Sequence, residues 1–222
     1  MKREIITTGD GSKTIHMPEW NEQYHSKHGA LQEALHVFIE MGLKDTLSRK
    51  HDISTPISIL EYGLGTGLNA MITAQYPTKF KINYTAVEAY PVSLEEAMEV
   101  NYGNLLNDNT LYQQLHGCEW NQIIELTESF TIKKVEKKFD QIHNESCFDI
   151  IYFDAFGPRV QPDLWTEEIF KAAFKVLKPN GVLTTYCAQG QARRNMQSAG
   201  FLIERLPGPP GKREMLRGRK EF

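Results

Sequence analysis

The 222-residue chain is poor in cysteine, with Cys118, Cys147 and Cys187 far apart and no C-x-x-C pair among them. That excludes a disulfide framework and a zinc knuckle, and the three are expected as buried thiols. No apolar run approaches the roughly 20 residues that cross a bilayer. The opening MKREIITTGDG lacks the apolar core of a secretory signal, so a cytoplasmic protein is expected. The histidines (His16, His25, His28, His36, His51, His116 and His143) show no metal-ligand spacing with a carboxylate or cysteine, and no metal is predicted. Internal repeats, low-complexity tracts and long linkers are absent too, which leaves one domain over residues 1–222 as the expectation. What is present is a hydrophobic content of 41%, enough for a full core in a chain of this length.

The formal charge of −3 is unevenly spread. Residues 205–220 carry Arg205, Lys212, Arg213, Arg217, Arg219 and Lys220 against Glu214 alone. A basic end on an acidic body can focus an anionic macromolecule onto one face; a solvated tail has the same signature.

From about residue 57 onward, apolar β-branched runs alternate with helical patterns, as in a parallel sheet flanked by helices. The strand candidates are Ile57–Tyr62, Ile82–Glu88, Phe130–Val135, Phe148–Asp154 and Gly181–Ala188, with helices over Leu68–Gln75, Val92–Tyr102, Thr166–Leu177 and Gln191–Ala199. Two extended runs, Phe201–Leu206 and Arg213–Arg217, flank PGPPG and predict an antiparallel pair at the sheet edge. Ala30, Leu31, Ala34, Leu35, Val37, Phe38 and Met41 recur at helical spacing and predict an amphipathic helix over 27–48. Residues 1–50 thus read as an extension that covers a cleft of the 51–222 core.

Two segments carry chemistry. In ILEYGLGTGLN, residues 59–69, an apolar strand runs through Glu61 into Gly63, Gly65 and Gly67 and then a helix opening at Leu68 and Asn69. Such a turn brings backbone N–H groups close to a ligand. Structural glycine turns are common, and the added weight comes from Glu88 at the end of the next strand, where an acid accepts both ribose hydroxyls of an adenosine ligand. A dinucleotide dehydrogenase prefers G-x-G-x-x-G, but Leu68 stands at that third position, and an acid before the turn has no use beside a pyrophosphate. Glu61 can instead face the cationic amino group of S-adenosyl-L-methionine or organise the loop. In FDIIYFDAFGP, residues 148–158, a buried strand delivers Asp154 and Phe156 to the edge where ligands sit in open α/β sheets. Together these elements predict a Rossmann-like class I methyltransferase fold of the α/β type. Its sheet is mostly parallel and seven-stranded, with helices on both faces, an antiparallel C-terminal edge strand and a short N-terminal extension.

Several pieces, in order along the chain, resemble the MnmD family, the tRNA wobble-uridine methyltransferases also found as the amino-terminal half of bifunctional MnmC. They are EYGLGTGLN (61–69), VEAYP (87–91), DAFGPRVQPDLWT (154–166), GVLTTYCAQGQARRNMQSAGF (181–201) and GKREMLRG (211–218), with a looser YHS-x-x-GAL-x-E near 24–33. The resemblance implies that S-adenosyl-L-methionine is held by Tyr24, Ser26, Glu61, Gly63, Gly65, Gly67, Leu68, Asn69, Glu88, Ala89, Asp154, Ala155 and Phe156. It places Asp154 where donor and acceptor amine meet. Candidate tRNA contacts are Phe156, Pro158, Arg193, Arg194, Lys212, Arg213 and Arg217, although Phe156 reads equally as a core aromatic and Arg193 and Arg194 equally as helix caps. After the third strand the family often has Gly-Asp near the adenine, whereas this chain reads VEKKFDQI, which puts Lys138 or Asp140 there and leaves that contact unassigned. Trp165 is expected to pack the Asp154 loop.

The implied reaction is methyl transfer to the amine of 5-aminomethyluridine, or its 2-thio form, at wobble position 34 in the tRNA anticodon loop. An aliphatic amine with a pKa near 10 is about one part in a thousand neutral at pH 7, so the site must favour the free base or help remove a proton. Asp154 is expected to orient the amine, with the proton passing to Asp154 or to water. Because the chain ends at Phe222 with no second glycine turn for a flavin domain, a separate enzyme is expected to supply the aminomethyl form. A rival reading is transfer to or from a small amine, as in polyamine synthases, which a basic terminus would disfavour. Another is a non-catalytic RNA-binding module, against which the intact Glu61, three glycines, Glu88 and Asp154 stand.

Overall fold

A computed structural model describes residues 2–9, 11–25, 29–142 and 146–221. The expected strands form because their runs are apolar on both faces, as parallel strands covered by helices must be. Beta strands β4 (Ile57–Tyr62), β5 (Ile82–Glu88), β7 (Phe130–Glu136), β8 (Phe148–Phe153) and β9 (Leu177–Thr185) run parallel at the centre of the large sheet. Its full order is β10–β11–β9–β8–β4–β5–β7–β6, with β6 at Ile123–Thr127, β10 at Leu202–Pro207 and β11 at Glu214–Arg219. The methyltransferase-type α/β expectation holds, with two differences of detail. The sheet has eight strands, because IIELT folds back antiparallel on β7 with an irregularity between Glu125 and Thr127. The antiparallel C-terminal strand β11 lies one place in from the edge, paired with both β9 and β10.

The order reverses direction of growth at β4, with β5 on one side and β8 on the other. That switch point opens a crevice at the carboxyl ends of the strands. The turns after β4, β5 and β8 therefore all deliver their residues to one place.

Side chains alternate across the sheet and sort into two apolar layers. Ile57, Ile59, Tyr84, Ile150 and Tyr152 pack under the N-terminal helix and the helix Leu68–Ala74, while Leu60, Tyr62, Ile151 and Phe153 pack under Trp165 and the helix Glu167–Val176. Burying each of these large side chains contributes about 1.5–3 kcal/mol. Local signals fix the helix starts. Thr166 accepts from the Ile169 N–H ahead of Glu167 and Glu168, and Ser93 and Glu96 close a reciprocal capping box on Leu94–Val100. The expected helix 92–102 is interrupted at Asn101, whose φ of 61° ends one helix and caps the next, Tyr102–Leu105.

Ahead of the core, β1 (Glu4–Thr7), β2 (Lys13–Met17) and β3 (Glu22–Gln23) form a small antiparallel sheet. A helix follows over residues 30–49, close to the expected 27–48, with residues 27 and 28 outside the described residues. Its middle, Leu35–Lys44, is wound in the wider π form. Phe38 sets this helix on the sheet against Tyr152, ring centres 5.0 Å apart. Cys118 and Cys187 are partly and fully buried, but Cys147 is exposed, because it precedes β8 at the strand's open amino end. No helix among the described residues is long and apolar enough to cross a membrane.

Candidate active site

At the switch point lies a cleft of about 1330 Å³, larger than an ordinary small-molecule pocket. Its floor begins at the turn after β4. Gly63 has φ +93°, and a Cβ there would lie 2.7 Å from the Asp154 carbonyl oxygen, so only glycine lets the turns after β4 and β8 meet. Gly65 has φ +49° and a neighbour of another kind: its Cβ would lie 2.9 Å from the Tyr24 ring, which closes over the turn.

Glu88 ends β5 on the cleft wall. Its two carboxylate oxygens accept the Gly65 N–H at 3.0 Å and the Tyr90 N–H at 2.9 Å. The carboxylate is thus aimed by the backbone, with one further lone pair on each oxygen. Ala89, Lys138, Phe139 and Asp140 continue this wall, so both residues of the stretch that departs from the family pattern reach the cleft.

Asp154 follows β8 and is partly buried, its Oδ2 accepting the Asn69 side-chain N–H at 2.8 Å. Burial pushes its carboxyl up to about 7; the Asn69 bond opposes this, the Glu33 charge adds to it and Lys212 draws it back. Ala155 accepts from the Tyr186 hydroxyl at 2.9 Å. Phe156 is gripped edge-on by Trp20 and Tyr24, at 5.6 Å and 5.0 Å. Trp165 packs this loop as expected, buried and donating to the Phe156 carbonyl at 2.7 Å.

The roof is the segment from Met17 through Trp20 to His25. Arg159, on the loop beyond Phe156, bonds the carbonyls of Trp20 and Asn21 and pairs with Glu22 at 3.0 Å. His25 meets the Thr66 hydroxyl at 2.7 Å, and the Thr66 carbonyl accepts from Tyr112 and His116. His116 is pushed down to about 4 by burial and stays neutral near pH 7, with its Nε2–H turned to that carbonyl. The glycine turn is therefore held from above and below.

The structure brings Tyr24, Gly63, Gly65, Glu88, Ala89, Asp154, Ala155 and Phe156 into one cleft. Other expected residues fall elsewhere. Glu61 is fully buried behind the cleft, on the same sheet face as Tyr152, because the period-two alternation of β4 turns it beneath the helix. Its Oε1 accepts from the same Asn69 amide at 2.9 Å, and burial raises its carboxyl well above the usual range. Gly67, Leu68 and Asn69 are buried with it, so these four support the site from behind and do not line it. Pro158 sits between cleft residues Gly157 and Arg159 without lining the wall. Ser26 lies outside the described residues.

The basic terminus needs the largest correction. Arg217 is buried, pairing with Glu204 and with Asp45 at 3.0 Å and donating to the Met41 carbonyl at 2.9 Å. Arg219 shares Glu204 and Asp45, Arg205 pairs with Glu214 at 2.6 Å, and Lys220 is buried on the Phe174 and Leu177 carbonyls. Lys212 turns inward onto Glu33, at 2.5 Å. Of the expected phosphate contacts, Arg217 and Lys212 are thus engaged inside the fold, Arg213 is 93% exposed, Arg194 is exposed and Arg193 half-buried. Most of the local charge is neutralised by acids that a count over 205–220 leaves out.

Glu33, Tyr186, Trp20 and Arg159 line the cleft without having been assigned from sequence. Glu33 stands in the GAL-x-E piece and Tyr186 in GVLTTYCAQGQ, so each lay within a recognised segment. Among the described residues no three His, Cys, Asp or Glu side chains group to hold a metal.

A family model described as S-adenosyl-L-methionine-dependent methyltransferase matches residues 94–221. The tRNA 5-methylaminomethyl-2-thiouridine biosynthesis bifunctional protein MnmC of Pseudoalteromonas translucida is 27% identical over 90% of this chain and 34% of its own length. That of Pseudomonas fluorescens is 28% identical over 90% and 32%. The chain therefore spans about a third of these relatives. Among solved structures, MNMC2 from Aquifex aeolicus superposes with a TM-score of 0.73 at 23% identity, covering 98% of this chain and 70% of that one. Spermidine synthase from Thermotoga maritima superposes with 0.61 at 13% identity, covering 98% and 68%.

Proposed function

The chain belongs to the S-adenosyl-L-methionine-dependent methyltransferases, and we propose that it methylates the primary amine of 5-aminomethyluridine, or its 2-thio form, at wobble position 34 of a tRNA. The product is 5-methylaminomethyluridine or its 2-thio form. The observation that carries this reading is Asp154, a carboxyl raised to about 7 at the ligand-facing end of a buried strand, beside an open cleft. Likeness to the MnmC relatives over nine-tenths of the chain supports the choice of acceptor. We take residues 1–222 to act as one methyltransferase domain, with 1–50 supplying the roof.

The residues fit the cofactor. Glu88 offers two aimed carboxylate oxygens to a pair of ribose hydroxyls, and Gly63 and Gly65 line the same cleft beside it. When bound, S-adenosyl-L-methionine supplies a methyl group on a positively charged sulfur, a leaving group that needs no further activation. What remains for the protein is alignment, exclusion of water and custody of one proton.

Asp154 serves the last task. Moving a proton from an ammonium of pKa near 10 to an ordinary aspartate is uphill by about 6 units, or about 8 kcal/mol. With the acceptor raised to about 7, the gap is about 3 units, or about 4 kcal/mol. Asn69 fixes the carboxylate through Oδ2 and leaves Oδ1 for the amine. The ammonium gives one proton to Asp154 or to water, the neutral amine then takes the methyl group and becomes a secondary ammonium, and a protonated Asp154 passes its proton on to solvent. Phe156, steadied by Trp20 and Tyr24, offers a ring against which a uracil can rest. Phosphate contacts fall to the exposed Arg194 and Arg213 and to Arg193.

The carboxymethylaminomethyl nucleoside is a poor substrate on this reading, because its carboxylate enters a cleft already lined by Asp154 and Glu33. A separate reaction that exposes the primary amine must then come first. Incubating pure enzyme with methyl-labelled cofactor and each tRNA form, followed by nucleoside mass spectrometry, tests this. Label should appear on aminomethyluridine alone; equal conversion of both forms, or none of the aminomethyl form, refutes it. A small polyamine as acceptor is the competing outcome, since the internally paired basic terminus no longer argues against it.

A further inference from the structure

Beside Asp154, three side chains from distant parts of the chain meet in the cleft. Glu33, on the first turn of the N-terminal helix, is buried. Tyr186 follows β9, its ring fixed by the bond from its hydroxyl to the Ala155 carbonyl. Lys212, from the turn between β10 and β11, sets its Nζ 2.5 Å from Glu33 Oε2 and 4.0 Å from the centre of the Tyr186 ring. Surface lysines ordinarily carry the ammonium out to water. This one carries it in.

A lysine side chain ends in –CH2–NH3⁺, the same group as a protonated aminomethyl arm. A carboxylate on one side and an aromatic face on another is the environment that favours such a cation. We infer that Glu33, Tyr186 and Asp154 form the alkylammonium subsite for the acceptor, and that Lys212 fills it as a tethered stand-in until the acceptor amine arrives. The inference rests on the proposed amine methylation for the identity of the incoming cation.

The exchange conserves charge. A buried carboxylate stripped of its partner is costly, so Glu33 is paired with a cation both at rest and when the acceptor first arrives. Lys212 supplies it at rest and the acceptor supplies it when bound, with Lys212 swinging out on its exposed turn. The tether also selects. A ligand must displace a cation held at high local concentration, which a neutral or anionic group cannot do. Lys212 is on this account a specificity residue, and its removal opens the subsite to small free alkylammonium ions.

That opening is measurable without tRNA. Propylammonium chloride, compared with equal sodium chloride, should raise the melting temperature of Lys212→Gln and leave the wild type unmoved. Adding Glu33→Gln to the first substitution should abolish the response. In methyl transfer, propylammonium should inhibit Lys212→Gln competitively against the acceptor, several-fold more strongly than it inhibits the wild type. Equal responses in wild type and Lys212→Gln, or none in Lys212→Gln, overturn the inference. Lys212→Met is the second variant if the first does not fold, and failure of both to fold in either salt makes Lys212 a structural prop and overturns it too. Activity on aminomethyl-tRNA without a propylammonium response sinks the subsite alone. A response without that activity sinks the tRNA reading alone.

Discussion

Replacing Asp154 by Asn should make the protein more stable and nearly inactive, and the stability gain should depend on pH. Asp154 has a proton affinity raised from the usual 3.8 to about 7, first by burial and then by the Glu33 charge. Between these values the folded state holds a proton that the unfolded state has lost, so this group's contribution to stability falls as pH rises through the window. By pH 4 the cost of Asp relative to Asn has shrunk to about half a kcal/mol or less, and it vanishes below that. Above pH 7 the full shift of about 3 units applies, at most about 4 kcal/mol, which partial exposure of the side chain cuts to about 2. For a chain of this size that is roughly 4–8 °C in melting temperature. Calorimetric melting of wild type and Asp154→Asn at pH 4 and pH 8 should therefore show curves that nearly coincide at the lower pH and separate at the higher, with the variant melting later. Its turnover should fall by about 10²–10⁴ for loss of a proton acceptor, with cofactor affinity little changed. Melting differences of the same size at both pH values, or a variant that melts earlier at pH 8, would refute the assigned environment of Asp154.

Four more outcomes follow from the site and the fold around it. Glu88→Ala should weaken S-adenosyl-L-methionine binding by about 1.5–3 kcal/mol, read by titration calorimetry, through loss of charge-assisted bonds to the ribose; unchanged affinity would remove Glu88 from the site. Replacing Arg193, Arg194 and Arg213 together should flatten the salt dependence of tRNA binding by up to about 3 in log–log slope, measured by filter binding. Arg217→Ala should instead destabilise by about 1–3 kcal/mol in urea melts, because it leaves the Met41 carbonyl without its donor and Glu204 and Asp45 with only Arg219 and Arg49 as partners. The wild-type rate at saturating substrates should climb with pH through about 7 as Asp154 ionises, and Asp154→Asn should lose that step.

The residues that sequence placed well share one property: each sits where an apolar run stops. Glu88 and Asp154 are acids ending buried strands, and a strand end in a parallel sheet has only one side on which to open. Of the two places open to Glu61, beside the ligand or behind the loop, it takes the second, on Asn69. Its parity with Ile57 and Ile59 turns it under the helix, and Gly63 and Gly65, not the acid before them, reach the cleft. The basic terminus misled for a different reason. Charge along a sequence says nothing about partners brought in by folding, and Glu204 and Asp45 neutralise Arg217 from one strand and one helix away. Strand β6 left little trace because it is short, half-exposed and irregular. Glu33 was masked by the regular amphipathic helix around it.

The pairing of Glu33 with Lys212 joins residues separated by nearly the whole chain, and it is not alone. His36 meets the Pro207 carbonyl at 2.8 Å, and Arg49 meets the Asn180 carbonyl at 3.1 Å. The side of the cleft that Glu33 and Lys212 line is thus sewn from the first and last quarters of the sequence. A ribosome adding about 5–20 residues per second delivers the glycine turn and Glu88 several seconds before Lys212. The donor half of the site is made well before the acceptor half exists. On the proposed reading, Glu33, Tyr186 and Asp154 are therefore made before the hairpin that carries their stand-in cation, and that hairpin completes the cleft last.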